Sequence, residues 1–240
     1  MDRNDWTQIA HTGIDLMNPL PVEKLDEVIE LLALAPGARV IDLGCGKGEL
    51  LRRLGTRYEI RAVGVDSSPA LLEEARRRAP AGVTYVVADL TAFATGAPFD
   101  LAAALGASID GFRPTLARLA GHLRPGGLAL LGEGYWRREP DPGYLEALGA
   151  TRDEMTDYAG LMAAAAEAGL EPRYAVTAST DDFDRYEWRW SLNGERYAAG
   201  HPDEPGVEEF LAWIRNGRRR YVELGGRETL GFGLFLFEMT

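Results

Sequence analysis

The residues best suited to chemistry lie in a glycine-rich stretch at positions 40–51. An apolar run of strand type, 40–43, is followed by Gly44, Gly46 and Gly48 at alternate positions. Glycine tolerates positive φ and leaves backbone N–H groups open to close approach, so such a loop before a helix can hold a phosphate or a nucleoside. Glu49 stands where the dinucleotide motif Gly-x-Gly-x-x-Gly has its third glycine. The stretch therefore predicts a site for a nucleoside ligand without a pyrophosphate.

Polar groups and small residues follow the next predicted strands. Asp66 ends a strand at 61–65, Asp89 and Leu90 follow a strand at 83–87, and Leu105 and Gly106 end a strand at 99–105. Open α/β sheets bind ligands at the carboxyl ends of their strands. We expect Asp66 to accept hydrogen bonds from ribose hydroxyls and Asp89 with Leu90 to meet an adenine. Leu105 and Gly106 should lie near the reactive end of the ligand.

The elements that position these residues alternate between strand and helix. Such alternation predicts an α/β fold with a mostly parallel, seven-stranded sheet and helices on both faces. The last strand is expected to fill an antiparallel position at the sheet edge. The predicted strands are 39–43, 61–65, 83–87, 99–105, 128–131, 173–177 and 230–237, and the predicted helices outside the insertion are 22–32, 47–54, 68–78, 114–123 and 153–168.

The chain length predicts a single domain over residues 1–240. Residues 1–21 show no clear period and are expected to form an N-terminal cap. An insertion at 179–228 separates the last two strands and contains two helical patterns, near 182–197 and 207–224. We expect this insertion to form a helical lid over the carboxyl ends of the strands.

Composition disfavours several classes of partner. The formal net charge of -11 opposes binding to nucleic acid. No apolar run approaches the ~20 residues of a membrane span, and residues 1–6 lack the apolar core of a signal peptide. We therefore expect a cytoplasmic location and no membrane partner. The single cysteine excludes an internal disulfide, and three scattered histidines predict no metal site.

Taken in order, these features resemble the class I S-adenosylmethionine (SAM)-dependent methyltransferases. The resemblance spans residues 39–134: the motif opened by Asp42, the acidic residue after the second strand, Asp89, the fourth strand, and Leu-Arg-Pro-Gly-Gly at 123–127. It implies a Rossmann-like fold with SAM as cofactor, S-adenosyl-L-homocysteine (SAH) as product and no metal. By resemblance, Gly44, Cys45 and Gly46 line the methionine part of SAM. Asp66 and Ser67 take the ribose, Asp89 and Leu90 the adenine, and Leu105 and Gly106 approach the sulfur.

Methyl transfer from a sulfonium is an in-line displacement that needs alignment, exclusion of water and sometimes a base. The candidates for catalysis are Glu133, His11 and Tyr135, and the candidates for substrate contact are Trp136, Asp182, Tyr186 and Trp190. Each has a structural alternative: Glu133 as a paired loop carboxylate, His11 as a capping residue, Asp182 as an acid in a first helical turn, and the aromatic residues as core. Cys45 is interpreted as a contact to the cofactor rather than a nucleophile.

The leading functional hypothesis is a methyltransferase that acts on a small molecule. The segments 132–136 and 181–187 look like those of bacterial small-molecule methyltransferases. The alternatives are a catalytically silent SAM-binding protein, acting as a sensor or partner subunit, and a nicotinamide-dependent oxidoreductase, which Glu49 disfavours. No residue in the sequence specifies the acceptor atom or the oligomeric state.

Overall fold

The computed structural model describes every residue except Asp2, Ala97 and Ser108. Ser108, in the loop that follows Leu105 and Gly106, thus lies outside the described residues. The strands are β1 (Ala38–Leu43), β2 (Ile60–Asp66), β3 (Val83–Val87), β4 (Phe99–Leu105), β5 (Leu123–Trp136), β6 (Leu170–Thr177) and β7 (Leu230–Met239). The helices are α1 (Arg3–Ala10), α2 (Val22–Leu31), α3 (Glu49–Arg57), α4 (Pro69–Arg77), α5 (Phe112–His122), α6 (Pro142–Leu148), α7 (Tyr158–Glu167), α8 (Thr180–Gly200), α9 (Val207–Val222) and α10 (Gly226–Thr229).

The seven strands form one sheet in the order β3-β2-β1-β4-β5-β7-β6. The pairs among β1 to β5 are parallel, and β7 is antiparallel to both β5 and β6. The predicted fold class, a Rossmann-like and mostly parallel sheet with an antiparallel last strand, is confirmed.

The predicted edge position of β7 is wrong, because β7 lies between β5 and β6. Its side chains from Phe232 to Phe237 are buried on both faces, as expected of a central strand with a continuous apolar run. The edge strand on this side of the sheet is β6, where Glu171 and Arg173 are exposed and the pairing register shifts between Pro172 and Tyr174. Proline and charge are typical of edge strands, which must avoid further pairing.

Two elements around β5 also differ from the prediction. β5 is longer than the expected 128–131, and its last residues, from Glu133 to Trp136, pair with β7. The expected helix at 153–168 begins only at Tyr158, because the Asp157 side chain accepts a hydrogen bond from the Gly160 N–H (2.7 Å) and caps α7 there. A 3-10 turn, Arg152–Glu154, and α6 precede it.

Core side chains divide between the two faces of the sheet. Val40, Leu101 and Leu130 pack on the face covered by α2 and α3, whereas Ile41, Ala102 and Leu131 pack on the face covered by α5 and α7. The alternation matches the two-residue period of a strand. Each core strand therefore presents its next side chain to the opposite face.

A third apolar cluster joins α1 to the two long helices α8 and α9 and consists of Ala10, Trp190, Phe210 and Ile214. α8 and α9 approach so closely that a Cβ on Gly194 would lie 2.3 Å from Ile214 Cδ1. Residues 1–21 and the insertion at 179–228 thus pack against each other. Among the described residues, no helix is both long enough and apolar enough to cross a membrane.

Candidate active site

The glycine loop leaves β1 in a conformation that requires glycine. Gly44, Gly46 and Gly48 have φ values of +72°, +51° and +76°. The N–H groups of Gly44 and Cys45 donate to the Val65 carbonyl (2.8 and 3.1 Å), which fixes the loop to β2. A Cβ on Gly44 would lie 2.1 Å from Ala107 Cβ, so this part of the loop passes directly against the chain that follows β4.

Asp66 stands at the end of β2 and faces this loop. Its carboxylate accepts hydrogen bonds from the Gly46 N–H (2.9 Å) and the Ser68 N–H (2.8 Å). Each carboxylate oxygen has a second lone pair, so two further donors can be accepted. The helix cap is supplied by Ser68, whose side chain accepts from the Leu71 N–H, and Asp66 is left for a ligand. The geometry suits the two hydroxyls of a ribose.

A cavity of about 370 Å³ opens above the glycine loop. Its volume lies in the range of small-molecule sites. Nearly all the predicted cofactor residues line it: Asp42, Gly44, Cys45, Gly46, Asp66, Ser67, Leu90, Leu105 and Gly106. Asp89 does not; its exposed carboxylate accepts from the N–H and hydroxyl of Thr91 (both 2.8 Å) beside a shallow depression that includes Ser67 and Leu90.

Two buried groups at the end of β1 and in the glycine loop have raised pKa values. Burial, reinforced by Asp66, raises the pKa of Asp42 to about 8, and Asp42 Oδ1 has no hydrogen-bond partner among the described residues. Burial also raises the pKa of the Cys45 thiol, so Cys45 is not a thiolate nucleophile at neutral pH. An orphaned polar oxygen in a cavity of this size is the feature expected of a site that holds a polar ligand.

Asp42 makes the stability of the ligand-free protein depend on pH. Its carboxyl binds a proton more tightly in the folded chain, with a pKa of about 8 against an ordinary 3.8, so folding is favoured by the protonated form. Stability should therefore fall as pH rises from about 4 to 8, by up to about 1.4 kcal/mol per pH unit. Asp42→Asn should flatten this slope in denaturant titrations of the ligand-free protein.

The matched control is Asp89→Asn, because the pKa of the exposed Asp89 carboxylate is lowered by hydrogen bonds from Thr91. It should leave the slope between pH 5 and 8 unchanged. The slope that remains in Asp42→Asn includes the falling contributions of Glu133 and Glu187, whose pKa values are raised by burial to about 7, and the opposite contributions of His11 and His122, whose pKa values are lowered by burial. An unchanged slope in Asp42→Asn would contradict the raised pKa of Asp42.

The N-terminal cap and the lid together contribute a histidine–tyrosine pair to the same cavity. His11 Nδ1 lies 2.7 Å from the Thr7 carbonyl, which only accepts, so Nδ1 carries the proton. His11 Nε2 lies 2.9 Å from Tyr186 Oη on α8, and this hydroxyl can donate its single proton either to His11 Nε2 or to the Met17 carbonyl (3.2 Å). Burial lowers the pKa of His11 and nearby Lys47 lowers it further, so the ring is neutral at physiological pH with Nε2 as an acceptor. Burial also raises the pKa of Tyr186, which stays protonated.

Lys47 connects the glycine loop to the cap. Its buried ammonium donates to the carbonyls of His11 (2.9 Å) and Ile14 (3.3 Å), and Glu74 lies 3.8 Å away. Asn193 of α8 holds the same segment from the other side through the carbonyls of Ala10 and Thr12. The cap is therefore bound both to the glycine loop and to α8 of the lid.

Lys47→Met should loosen the cap, because it leaves the Ile14 carbonyl without its donor and removes one of the two donors to the His11 carbonyl, which keeps the Ile14 N–H (3.0 Å). We expect a loss of about 1–3 kcal/mol in the free energy of unfolding. Removing the positive charge should also raise the pKa of His11, which can be followed by NMR titration of the imidazole. If Lys47→Met changes neither the free energy of unfolding nor the pKa of His11, then Lys47 does not hold the cap in place.

Other predicted site residues lie elsewhere. Glu133 lines a second cavity, and Tyr135 packs edge-on against Tyr158 and Phe235. Neither lines the cavity above the glycine loop, although both are among the predicted candidates for catalysis. β5 turns alternate side chains to opposite faces, and these two share the face of Leu131. A catalytic role for them remains a prediction without support from this geometry.

The predicted substrate contacts other than Tyr186 are occupied within the protein. The Trp136 indole N–H donates to the Arg152 carbonyl (2.9 Å), and its ring packs against Tyr144. Asp182 pairs with Lys24 (2.7 Å) and caps α8 with Ser179. Trp190 packs against Trp213 inside the lid (4.8 Å between ring centroids). The structure supports the structural alternative for all three.

Several cavity residues escaped sequence analysis. Lys47, Met17 and Asn18 all line the cavity, and none of them is among the predicted site residues. Asn18 Nδ2 donates to the Leu105 carbonyl (3.4 Å), next to Gly106. Lys47 lies inside the glycine motif itself and was available as a signal. Nothing in the local pattern around Met17 or Asn18 indicates a long-range contact.

Comparison with known proteins agrees with this geometry. Residues 40–127 match the family model described as methyltransferase domain. The uncharacterized protein YjhP of Escherichia coli (strain K12) is 33% identical over 237 residues, covering 95% of each chain. A SAM-dependent methyltransferase from Thiobacillus denitrificans, solved in complex with SAH, is 32% identical and superposes with a TM-score of 0.88 over 100% of this chain and 99% of its own. Trans-aconitate 2-methyltransferase of Methylobacterium nodulans is 42% identical over 111 residues, 44% of this chain and 43% of that protein.

The sheet order, the glycine loop with Asp66 and the full-length relatives define one class. The chain belongs to the class I SAM-dependent methyltransferases. Its cofactor is SAM, and SAH is the product of transfer.

Proposed function

We propose that this protein transfers a methyl group from SAM to a small molecule. The observation that carries the proposal is the His11–Tyr186 pair, which the cap and the lid place over the glycine loop in one cavity of about 370 Å³. A cavity closed by two segments admits a small acceptor more readily than a side chain or base on a macromolecule. The net charge of -11 further disfavours nucleic acid.

Within this proposal, the cofactor residues act by binding and orientation. Gly44, Cys45 and Gly46 receive the methionine part, and Asp66 with Ser67 holds the ribose hydroxyls. Leu90 lies where an adenine is expected, with Asp89 at the rim of the cavity. Leu105 and Gly106 line the end of the cavity nearest the sulfur. When bound, SAM supplies an electrophilic methyl group on a sulfonium.

His11 and Tyr186 form a path for a proton. A proton from the acceptor passes to Tyr186 Oη while the Tyr186 proton passes to His11 Nε2, giving an imidazolium that later loses its proton to solvent. Because the pKa of Tyr186 is raised, the tyrosine relays the proton without existing as a free phenolate. The cap held by Lys47 excludes water from the cavity during this step.

Residues 1–21 and 179–228 are proposed to act as the cap and the lid of one domain. Their contacts to each other through α1 and α8 support a joint movement when ligands enter. The relative named for trans-aconitate, a small acid, supports a small-molecule acceptor.

The test is transfer from methyl-labelled SAM to three separate fractions: a size-filtered metabolite extract, purified protein, and DNA with RNA. Label should enter the metabolite fraction, with SAH formed in equal amount, and heat-treated enzyme serves as the control. Label that enters only protein or nucleic acid would contradict the small-molecule acceptor. SAH binding without label in any fraction would indicate a catalytically silent SAM-binding protein instead.

A further inference from the structure

A second cavity, of about 870 Å³, lies near the carboxyl end of β5. It is bounded by the first turn of α5 and by the segment between α6 and α7. Its lining combines apolar side chains, such as Phe112, Leu148 and Met155, with charged ones, among them Glu133. None of these residues lines the cavity above the glycine loop.

Glu133 is the unusual group in this cavity. The residue is only 7% exposed, and Oε1 accepts from the Gly134 N–H (2.9 Å). Oε2 is buried and has no hydrogen-bond partner within the described part of the chain. Burial raises the pKa of this carboxyl to about 7. A buried carboxylate without a counter-charge is costly, and groups of this kind cluster at functional sites.

The charged side chains around Glu133 favour the binding of a cation. The cavity lining carries four acidic side chains and one basic one, Arg113. Arg113 already pairs with Glu167, and Glu154 is held by the backbone N–H of Thr151. Asp110 and Asp153 form no ion pair with any residue the structure describes. The unbalanced charge of the lining is therefore negative.

We propose that this cavity binds an organic ammonium ligand, with Glu133 as its buried counter-ion. Phe112, Leu148 and Met155 offer apolar surface to the hydrocarbon part of such a ligand. The described residues contain no group of three or more histidine, cysteine, aspartate or glutamate side chains arranged to hold a metal ion, which favours an organic cation. The site is separate from the proposed transfer site.

The binding test uses isothermal calorimetry at pH 8 with butylamine and 1,4-diaminobutane as probes, and with butanol and butyrate as neutral and anionic analogues. The wild type should bind the two amines and neither analogue. Glu133→Gln should weaken amine binding at least ~10-fold, the effect of losing one buried charge partner. Glu171→Gln, which alters an exposed carboxylate on β6, is the matched control and should bind as the wild type does.

Titration with SAH separates this proposal from the proposed function. All three proteins should bind SAH equally, whatever happens to the amines. Amine binding should also weaken at pH 6, where Glu133 is protonated and uncharged. Failure of both amines to bind the wild type, or equal amine binding by Glu133→Gln, would overturn the ammonium site.

A measurement without ligand gives a second test. The side-chain amide in Glu133→Gln would retain an oxygen for the Gly134 N–H but carry no charge. The variant should therefore have a higher thermal midpoint than the wild type at pH 8 and the same midpoint at pH 5. A higher thermal midpoint after removal of a buried carboxylate is typical of a residue that serves binding rather than stability. A lower midpoint at pH 8 would show that Glu133 holds the fold together and would contradict the proposal.

Discussion

Gly44→Ala is expected to remove most of the affinity for SAM and SAH. The new Cβ would lie 2.1 Å from Ala107 Cβ, and the residue would keep a φ of +72°, which L side chains rarely adopt. The backbone conformation alone costs about 1–2 kcal/mol, and relief of the overlap must displace either the loop or the chain after β4. Both line the cavity. We expect SAH affinity to fall at least ~10-fold, since each 1.4 kcal/mol is a factor of ten.

Gly37→Ala is the matched control for Gly44→Ala. Gly37 has nearly the same φ, +77°, but a Cβ there would meet nothing within 4 Å. Gly37→Ala should lower the free energy of unfolding by the cost of placing an alanine at positive φ. Its affinity for SAH should equal that of the wild type. Calorimetric titration and denaturant unfolding of both variants would separate the two effects. Equal loss of SAH affinity in the two proteins would show that the contact with Ala107 is unimportant.

His11→Ala should nearly stop methyl transfer while leaving SAH affinity within a few-fold of the wild type. A positioned general base typically contributes about 10²–10⁴-fold to the rate. His11 lies in the cavity against Tyr186, whereas the cofactor residues of the glycine loop do not depend on its ring. The measurement is the rate of SAH formation at saturating SAM, once an acceptor is found.

His201→Ala is the control for His11→Ala, because His201 is exposed just after the end of α8, where its Nδ1 lies 2.9 Å from the Tyr197 carbonyl and its ring stacks on Tyr197. Tyr186→Phe should resemble His11→Ala if the tyrosine relays the proton. The rate in the wild type should rise with pH through the pKa of His11, which lies below 6.5, because only the neutral ring accepts a proton. A full rate in His11→Ala would remove His11 from the mechanism.

Local sequence signals were sufficient for the parts of the site that lie on consecutive strand ends. Gly44, Asp66 and Leu105 each directly follow or end a strand whose apolar run is visible in the sequence, so the parallel sheet brings them together. The same reasoning failed for Glu133. The sequence shows that Glu133 follows a strand. The face of the sheet on which its side chain lies depends on how far β5 continues, and pairing with β7 sets that length.

The contacts of the cap depend on tertiary packing. His11 and Tyr186 are 175 residues apart, and only the packing of α1 on α8 places them 2.9 Å from each other. The position of β7 between β5 and β6 is also nonlocal, although its unbroken apolar run from Leu230 to Phe237 favours a central strand over an edge.

The most direct measurement is a calorimetric titration of the purified protein with SAH, run beside Asp66→Asn and Glu171→Gln. Asp66 holds the glycine loop through the Gly46 N–H and offers its remaining lone pairs to the ribose. We predict micromolar-range binding by the wild type and by Glu171→Gln, and at least ~10-fold weaker binding by Asp66→Asn, as expected for loss of charged hydrogen bonds. A folded wild type that does not bind SAH, or an Asp66→Asn variant that binds it equally well, would contradict the assignment of this cavity as the SAM site.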